Sequence, residues 1–231
     1  MLRKILRRTL FAIPVLLLAY LAIAALWANS ALDQLMASYP APANTSALST
    51  RQQEILLKIE DPTFFEHRGL SLADGQGMTT ISSSSARAVF LEGANLAGIQ
   101  GAFQYVYRGV FACCKKVDLG RDVMALVLDA RVSKERQLGL YIAQVYMGTQ
   151  AGVQVKGLEQ ASMLYFQKPL KELDEQGFIG LVSMIKGPNQ FHPVHNKQAF
   201  DVRRQRVAAV ISGACKPSGW LDTSFDHCKS T

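Results

Sequence analysis

The chain has 231 residues, of which 49% are hydrophobic and 19% charged, which excludes a mostly disordered protein and allows one globular domain plus an accessory segment. The formal charge is +7; Arg3, Lys4, Arg7 and Arg8 supply much of it, leaving about +3 over the remainder. No basic stripe interleaved with aromatics occurs, so nucleic acid is excluded as a partner.

The N-terminus opens with a basic segment, MLRKILRR (1–8), and residues 9 to 32 then carry no charge. A helix of ~20 apolar residues spans a bilayer, whereas the apolar region of a cleaved signal peptide runs roughly 7–15 residues. Residues 9–29 are therefore expected to be an uncleaved transmembrane anchor. Its cationic flank would stay in the cytoplasm and the rest of the chain outside. Pro14 is tolerable in a membrane helix, and Trp27 reads as an interfacial anchor. Residues 30–48, including SYPAPANTSALST, read as a linker before a domain over 49–211.

A helix is expected from Ser49 or Thr50, each followed at capping-box spacing by Gln52 or Gln53. Ile55, Leu56 and Ile59 share one of its faces. It delivers the stretch EDPTFFEHRG (60–69), three acids and a histidine set against two phenylalanines. Two readings are open on local pattern: a helix end capped by acids, or a carboxylate held in a partly dry cleft, as a catalytic acid or base requires.

Glycines 93, 98, 101 and 109 interrupt the apolar stretch 92–116. That stretch is either an interfacial segment with Tyr105 and Tyr107 at headgroup level or a buried loop pair. Helical spacing follows at Val123, Met124 and Val127, and again at Leu138, Tyr141, Ile142 and Val145 after a Ser133 cap, with Gly148 as terminator. Phe178, Leu181, Val182 and Ile185 repeat it after Asp174, until GPN (187–189). A final helix is expected from about Gln198 to Ile211, carrying Arg203, Arg204 and Arg206. No sustained strand alternation and no internal repeat is found. The fold class is mainly α. In the tail, 212–231, a Cys215–Cys228 bridge would form if that segment lies outside the cytoplasm. The pairing of Cys113 and Cys114 stays open, and no metal-ligand spacing is present.

EDPTFFEHRG resembles, without a gap, the first motif of the peptidoglycan glycosyltransferases (glycosyltransferase family 51), E-D-x-x-F-x-x-H-x-G. GMTTISSSSARAVFL (77–91), ARVSKERQLGLYIAQVYMG (130–148), GVQVKGLEQASMLYFQKPLKEL (152–173) and KGPNQFHPVHN (186–196) resemble four further family elements in order. The resemblance implies a lysozyme-like helical domain with a small membrane-dipping jaw, of the monofunctional membrane-anchored type. It implies lipid II and glycan strands as substrates, the inner membrane as location with the domain in the periplasm, and other cell-wall synthesis proteins as partners. Glu60 would be the catalytic base, its pKa raised by the rings of Phe64 and Phe65. Thr80, Arg87, Lys115, Lys116, Lys186 and Arg204 would meet substrate or pyrophosphate, while Asp61, Phe64 and His67 would position the loop. The family often uses a divalent cation, Mg or Mn, at the pyrophosphate; no protein metal ligand is assigned.

The sequence departs from the family pattern at Ser83-Ser84, Ala88, Gly139 and Ala143. An ungapped count puts Val117-Asp118 at the third motif's R-K pair and Arg121 at its glutamate, so the second active-site acid is unmatched. A small register shift would let Lys115 and Lys116 restore the cations, and Asp118 or Asp122 stand for the acid. Three readings follow: a polymerase with weakened activity, a lipid II-binding pseudoenzyme or scaffold, and a lytic enzyme using a protonated Glu60.

Overall fold

The computed structural model of the chain describes residues 2–39, 48–113 and 118–228, with side chains described from residue 12. The architecture is mainly α-helical, with α1 Leu2–Met36, α2 Thr50–Glu60, α3 Ile81–Ala86 and a π-helical turn Arg87–Leu91. There follow α4 Gly98–Cys113, α5 Leu119–Arg131, α6 Lys134–Gln144, β1 Tyr146–Gln150 and β2 Val153–Lys156. The chain continues with α7 Leu158–Phe166, a 3₁₀ turn Leu170–Glu172, α8 Glu175–Ile185 and α9 Lys197–Ser212.

Helix α1 is long and apolar enough over Ala12–Met36 to cross a membrane. It does not give way to a linker at residue 30. Ala24, Ala28 and Ala31, together with Trp27, Leu32 and Leu35, are buried against α5 and the π turn. Alanines at four- and three-residue spacing let the two helix backbones approach closely, so this half of α1 belongs to the domain core. Trp27 is accordingly not at a lipid interface: its ring meets Phe90 and Tyr107 at 5.8 and 5.0 Å, and its Nε1–H donates to the Gln100 carbonyl. The preceding half presents Ile13, Val15, Leu16 and Leu18 outward. Of the proposed linker, residues 40–47 lie outside the described residues.

A second, larger core joins α2 and α6–α9. Between the two cores lies α3, whose Ser82, Ser83 and Ser85 are buried rather than solvated. Ser82 donates to Gln137 Oε1 and Ser85 to the Gln137 carbonyl, and Gln137 in turn donates to Asp129, which Lys134 meets at 2.7 Å. Small hydroxyl side chains suit this place, since a buried polar helix must find partners for each group.

The described part of the 92–116 stretch, to Cys113, is not a loop pair: α4 forms despite its glycines. Its face Ile99, Phe103 and Val106 is exposed, as is Tyr105, whereas Tyr107 is buried on Tyr20 and Trp27. The hairpin β1–β2 differs from the all-helical spacing of the sequence. Helix α6 stops at Gln144 instead of running to Gly148, and Gln150 pairs with Val153 across a two-residue turn. Both turn residues, Ala151 and Gly152, have positive φ (50° and 80°), as a tight hairpin matching strand twist requires. Ala-Gly is a weaker turn signal than Asn-Gly, and the strands are too short to show alternation.

Candidate active site

Helix α2 starts at the expected capping box of Ser49 and Gln52 and ends by presenting Glu60 to a cavity of about 390 Å³. The loop 75–80, the start of α3, Arg87, Tyr141 of α6, Lys186 at the end of α8, Arg203 of α9 and Thr223 of the tail complete its wall. Glu60 is the one carboxylate lining the cavity among the described residues, and it shares that wall with three cations, Arg87, Lys186 and Arg203.

The next residue, Asp61, is fully buried and ties the motif together. Its carboxylate accepts from the Ile81 N–H at 2.9 Å, the first amide of α3, and from His67 Nε2 at 3.0 Å. The Gly69 N–H donates to His67 Nδ1, which leaves Nε2 carrying the proton that Asp61 receives. Gly69 has φ +95°, and a Cβ there would stand 2.9 Å from the Ala125 carbonyl oxygen; glycine is required. Gln76 pins the other side of the loop by donating to the Glu60 and Thr79 carbonyls.

Burial raises the pKa of Glu60, while the Tyr141 O–H, donating to its Oε2 at 3.0 Å, and the charges of Arg203 and Lys186 pull it back. The dry surroundings do not come from Phe64 and Phe65, as expected from sequence. Phe64 is buried in the main core with Lys134 Nζ 4.6 Å from its ring centre, and Phe65 lines a different cavity. Two consecutive side chains cannot both follow Glu60 into one cleft when the loop turns after Asp61. Ile59, Ile81, Tyr141, Val145 and Ile185 supply the apolar wall instead. Burial also lowers the pKa of Lys186, and that of Arg203 to about 10, where the guanidinium is still charged at neutral pH.

Of the remaining sequence candidates, Thr80 lines the cavity, but its hydroxyl donates to the Gly69 carbonyl and accepts from the Ser83 N–H as the α3 cap. Arg87 lines it with Glu92 3.4 Å from its Nε. Arg204 is not brought there: it faces Asp201 at 3.8 Å, and its neighbour Arg203 takes the inward position. The signal for this was present. Arg203 shares the phase of Phe200, Val207 and Val210, all buried, whereas Arg204 is turned by 100°. The apolar spacing of α6 marks Tyr141 as core, and nothing local announces the role of its hydroxyl. Lys115 and Lys116 lie outside the described residues. Neither Asp118 nor Asp122 lines the cavity: Asp118 caps α5 through the Arg121 N–H, and Asp122 pairs with the buried Arg121 guanidinium at 2.7 Å. Neither aspartate therefore stands in for the second acid at the cavity wall. Gly139 and Ala143 line the other, larger cavity beside Phe65 and Met163, away from Glu60.

The cavity residues alone do not complete the shell of a divalent cation, and an ion at the pyrophosphate would have to share substrate phosphate oxygens. Such ions take carboxylate and carbonyl oxygens, and the cavity offers a single carboxylate facing cations. Cys215, His227 and Cys228 lie together elsewhere, but the two sulfurs are joined in a disulfide.

A lysozyme-like helical domain whose cleft sets one desolvated acid against several cations belongs to the class of transglycosylase domains. The family model described as Transglycosylase matches residues 29–212, and the chain belongs to that family, the peptidoglycan glycosyltransferases its motifs resemble. It is 31% identical over 163 residues to Penicillin-binding protein 1B of Escherichia coli K12, covering 68% of this chain and 18% of that protein. It is 32% identical over 162 residues to Penicillin-binding protein 1B of Vibrio cholerae, covering 68% and 20%. To Penicillin-binding protein 1F of Bacillus subtilis it is 24% identical over 177 residues, covering 74% and 23%. The chain thus spans about a fifth of the length of these curated relatives.

Proposed function

We propose that the chain polymerises lipid II into glycan strands at the outer face of the inner membrane, with α1 as a single-pass anchor whose N-terminus is cytoplasmic. The observation that carries this reading is the meeting of Glu60 with Lys186, Arg203 and Arg87 in one cavity. In the reaction the acceptor's 4-hydroxyl gives its proton to Glu60 as its oxygen bonds the anomeric carbon. The bond from that carbon to the lipid pyrophosphate breaks, and the pyrophosphate leaves with the electron pair. A base with a raised pKa suits the first event. Cations fixed beforehand suit the last, because negative charge develops there.

Activity is proposed to be weak. One acid stands where the family has two, and a missing acid-base group commonly costs ~10²–10⁴ in rate. The same observation favours a second reading, a lipid II-binding scaffold of the cell-wall machinery that turns nothing over. Incubating the purified protein with labelled lipid II in detergent, beside Glu60→Gln, separates the two. Polymer from the unmutated protein alone supports the transferase. Lipid II binding by both proteins with no polymer from either supports the scaffold.

A further inference from the structure

Beyond α9 the chain does not trail away. The Cys215–Cys228 disulfide closes the tail, with Cα atoms 5.8 Å apart, and anchors it in the main core through Phe225 and Cys228. Between the cysteines the chain pairs with the loop that forms the cavity rim: the Gly75 N–H donates to the Gly219 carbonyl and the Gly77 N–H to the Trp220 carbonyl. That rim is shaped for the tail. Gly75 and Gly77 have φ of +79° and +72°, and a Cβ on them would stand 2.8 Å from Pro217 and 2.7 Å from Thr223. Asp222 fixes the turn by accepting from the Ser218 and Phe225 N–H groups.

Two of the three cavity cations end on this tail. Lys186 Nζ donates to Thr223 Oγ1, and Thr223 itself lines the cavity. Arg203 Nη1 donates to the Ser224 carbonyl at 2.9 Å, with its guanidinium 4.8 Å from the Phe225 ring centre. A tail that served only to cover the core would need Phe225 but not these polar ends.

We infer that the disulfide-closed tail is a working wall of the cleft, in which Thr223 and the Ser224 carbonyl are positioning groups that hold Lys186 and Arg203 for a diphosphate. This rests on the proposed diphosphate-linked substrate. Burial and the neighbouring Arg203 charge work against the Lys186 ammonium, so a fixed hydroxyl acceptor keeps that cation at the wall. Without it, binding must immobilise a free four-carbon side chain.

The test is calorimetric titration of the oxidised, detergent-solubilised full chain with inorganic pyrophosphate, with thermal melting run in parallel. Thr223→Val is expected to weaken binding about fivefold, the cost of re-ordering one long side chain, while Thr223→Ser retains it. The Cys215→Ser/Cys228→Ser pair, or reduction of the unmutated protein, is expected to weaken it at least as much. Should the double cysteine variant fail to fold, the two Thr223 variants decide alone. Equal affinity of Thr223→Val and the unmutated protein overturns the inference, as does equal loss in Thr223→Ser, or no pyrophosphate binding by the unmutated chain. Lipid II polymerisation is a separate readout. Threonine-dependent pyrophosphate binding without lipid II binding or turnover sinks the proposed function and leaves the tail's role standing. Turnover indifferent to Thr223→Val does the reverse.

Discussion

Glu60 is held half-buried in a cleft, and its burial has a consequence for stability that is independent of turnover. The carboxyl's pKa in the folded chain lies above the ordinary 4.5. Below that value both folded and unfolded chains carry the proton and there is no penalty. Between it and the raised folded pKa the folded chain binds more protons, so stability falls as pH rises, and the deficit is complete above the folded pKa. Glu60→Gln is thus expected to melt at a higher temperature than the unmutated protein at pH 7. The gap should close as the pH is lowered through the folded pKa, while turnover falls by ~10²–10⁴. A melting curve that is unchanged at pH 7 would show the carboxyl to be freely solvated. Tyr141→Phe removes the hydrogen bond that favours the ionised carboxylate. The acidic limb of the pH–rate profile should move to higher pH, and turnover near neutrality should fall on the order of tenfold.

At the scale of elements, what the sequence made legible follows how local the cause is. The capping box before α2 and the Ser133 cap lie within one turn of the helices they start, and the structure has both. The hairpin turn depends on positive φ at an alanine, which composition does not announce. The placing of Arg203, Tyr141 and Thr223 around Glu60 depends on contacts between elements far apart in the chain; of these, the phase of α9 marked Arg203 as inward. Gly69 joins both kinds of cause, a left-handed backbone and a close approach to α5. Gly69→Ala is expected to cost about 1–3 kcal/mol, seen as a melting point lower by roughly 3–10 °C. The extension of α1 into the domain was illegible for a related reason, since an apolar helix suited to lipid and one suited to a protein core share a composition. Truncation tells them apart. A chain beginning at residue 21 keeps Trp27, Leu32 and Leu35 in place and should fold. One beginning at residue 37 forfeits about 1.5–3 kcal/mol for each of those side chains, and should aggregate or melt far lower on a thermal scan.

Across the whole molecule, α1 where it enters the domain and the exposed face of α4 meet. Ile23, Leu26 and Trp27 line one shallow groove with Ile99, Gln100 and Phe103. The apolar strip therefore continues from the candidate membrane helix onto the domain, through Ile99, Phe103 and Val106 at successive turns of α4. Three such side chains on a soluble surface would be an aggregation liability, but beside a membrane helix they have an apolar phase to enter. This favours the interfacial reading over the buried one for the described part of the stretch, residues 92–113. A chain beginning at residue 21, which has lost most of the spanning helix, isolates the strip's contribution. Its partitioning onto phospholipid vesicles, measured by co-sedimentation, should fall at least tenfold when Ile99, Phe103 and Val106 are all changed to Ser, each side chain contributing on the order of 1 kcal/mol of partial burial. Ile99 and Val106 are exposed in the folded chain and their loss should leave the melting temperature nearly unchanged, whereas Phe103, stacked on Tyr107 at 6.5 Å, should lower it modestly. Equal partitioning of the two forms would mean that α4 stands clear of the lipid and that α1 alone sets the height of the cleft above it.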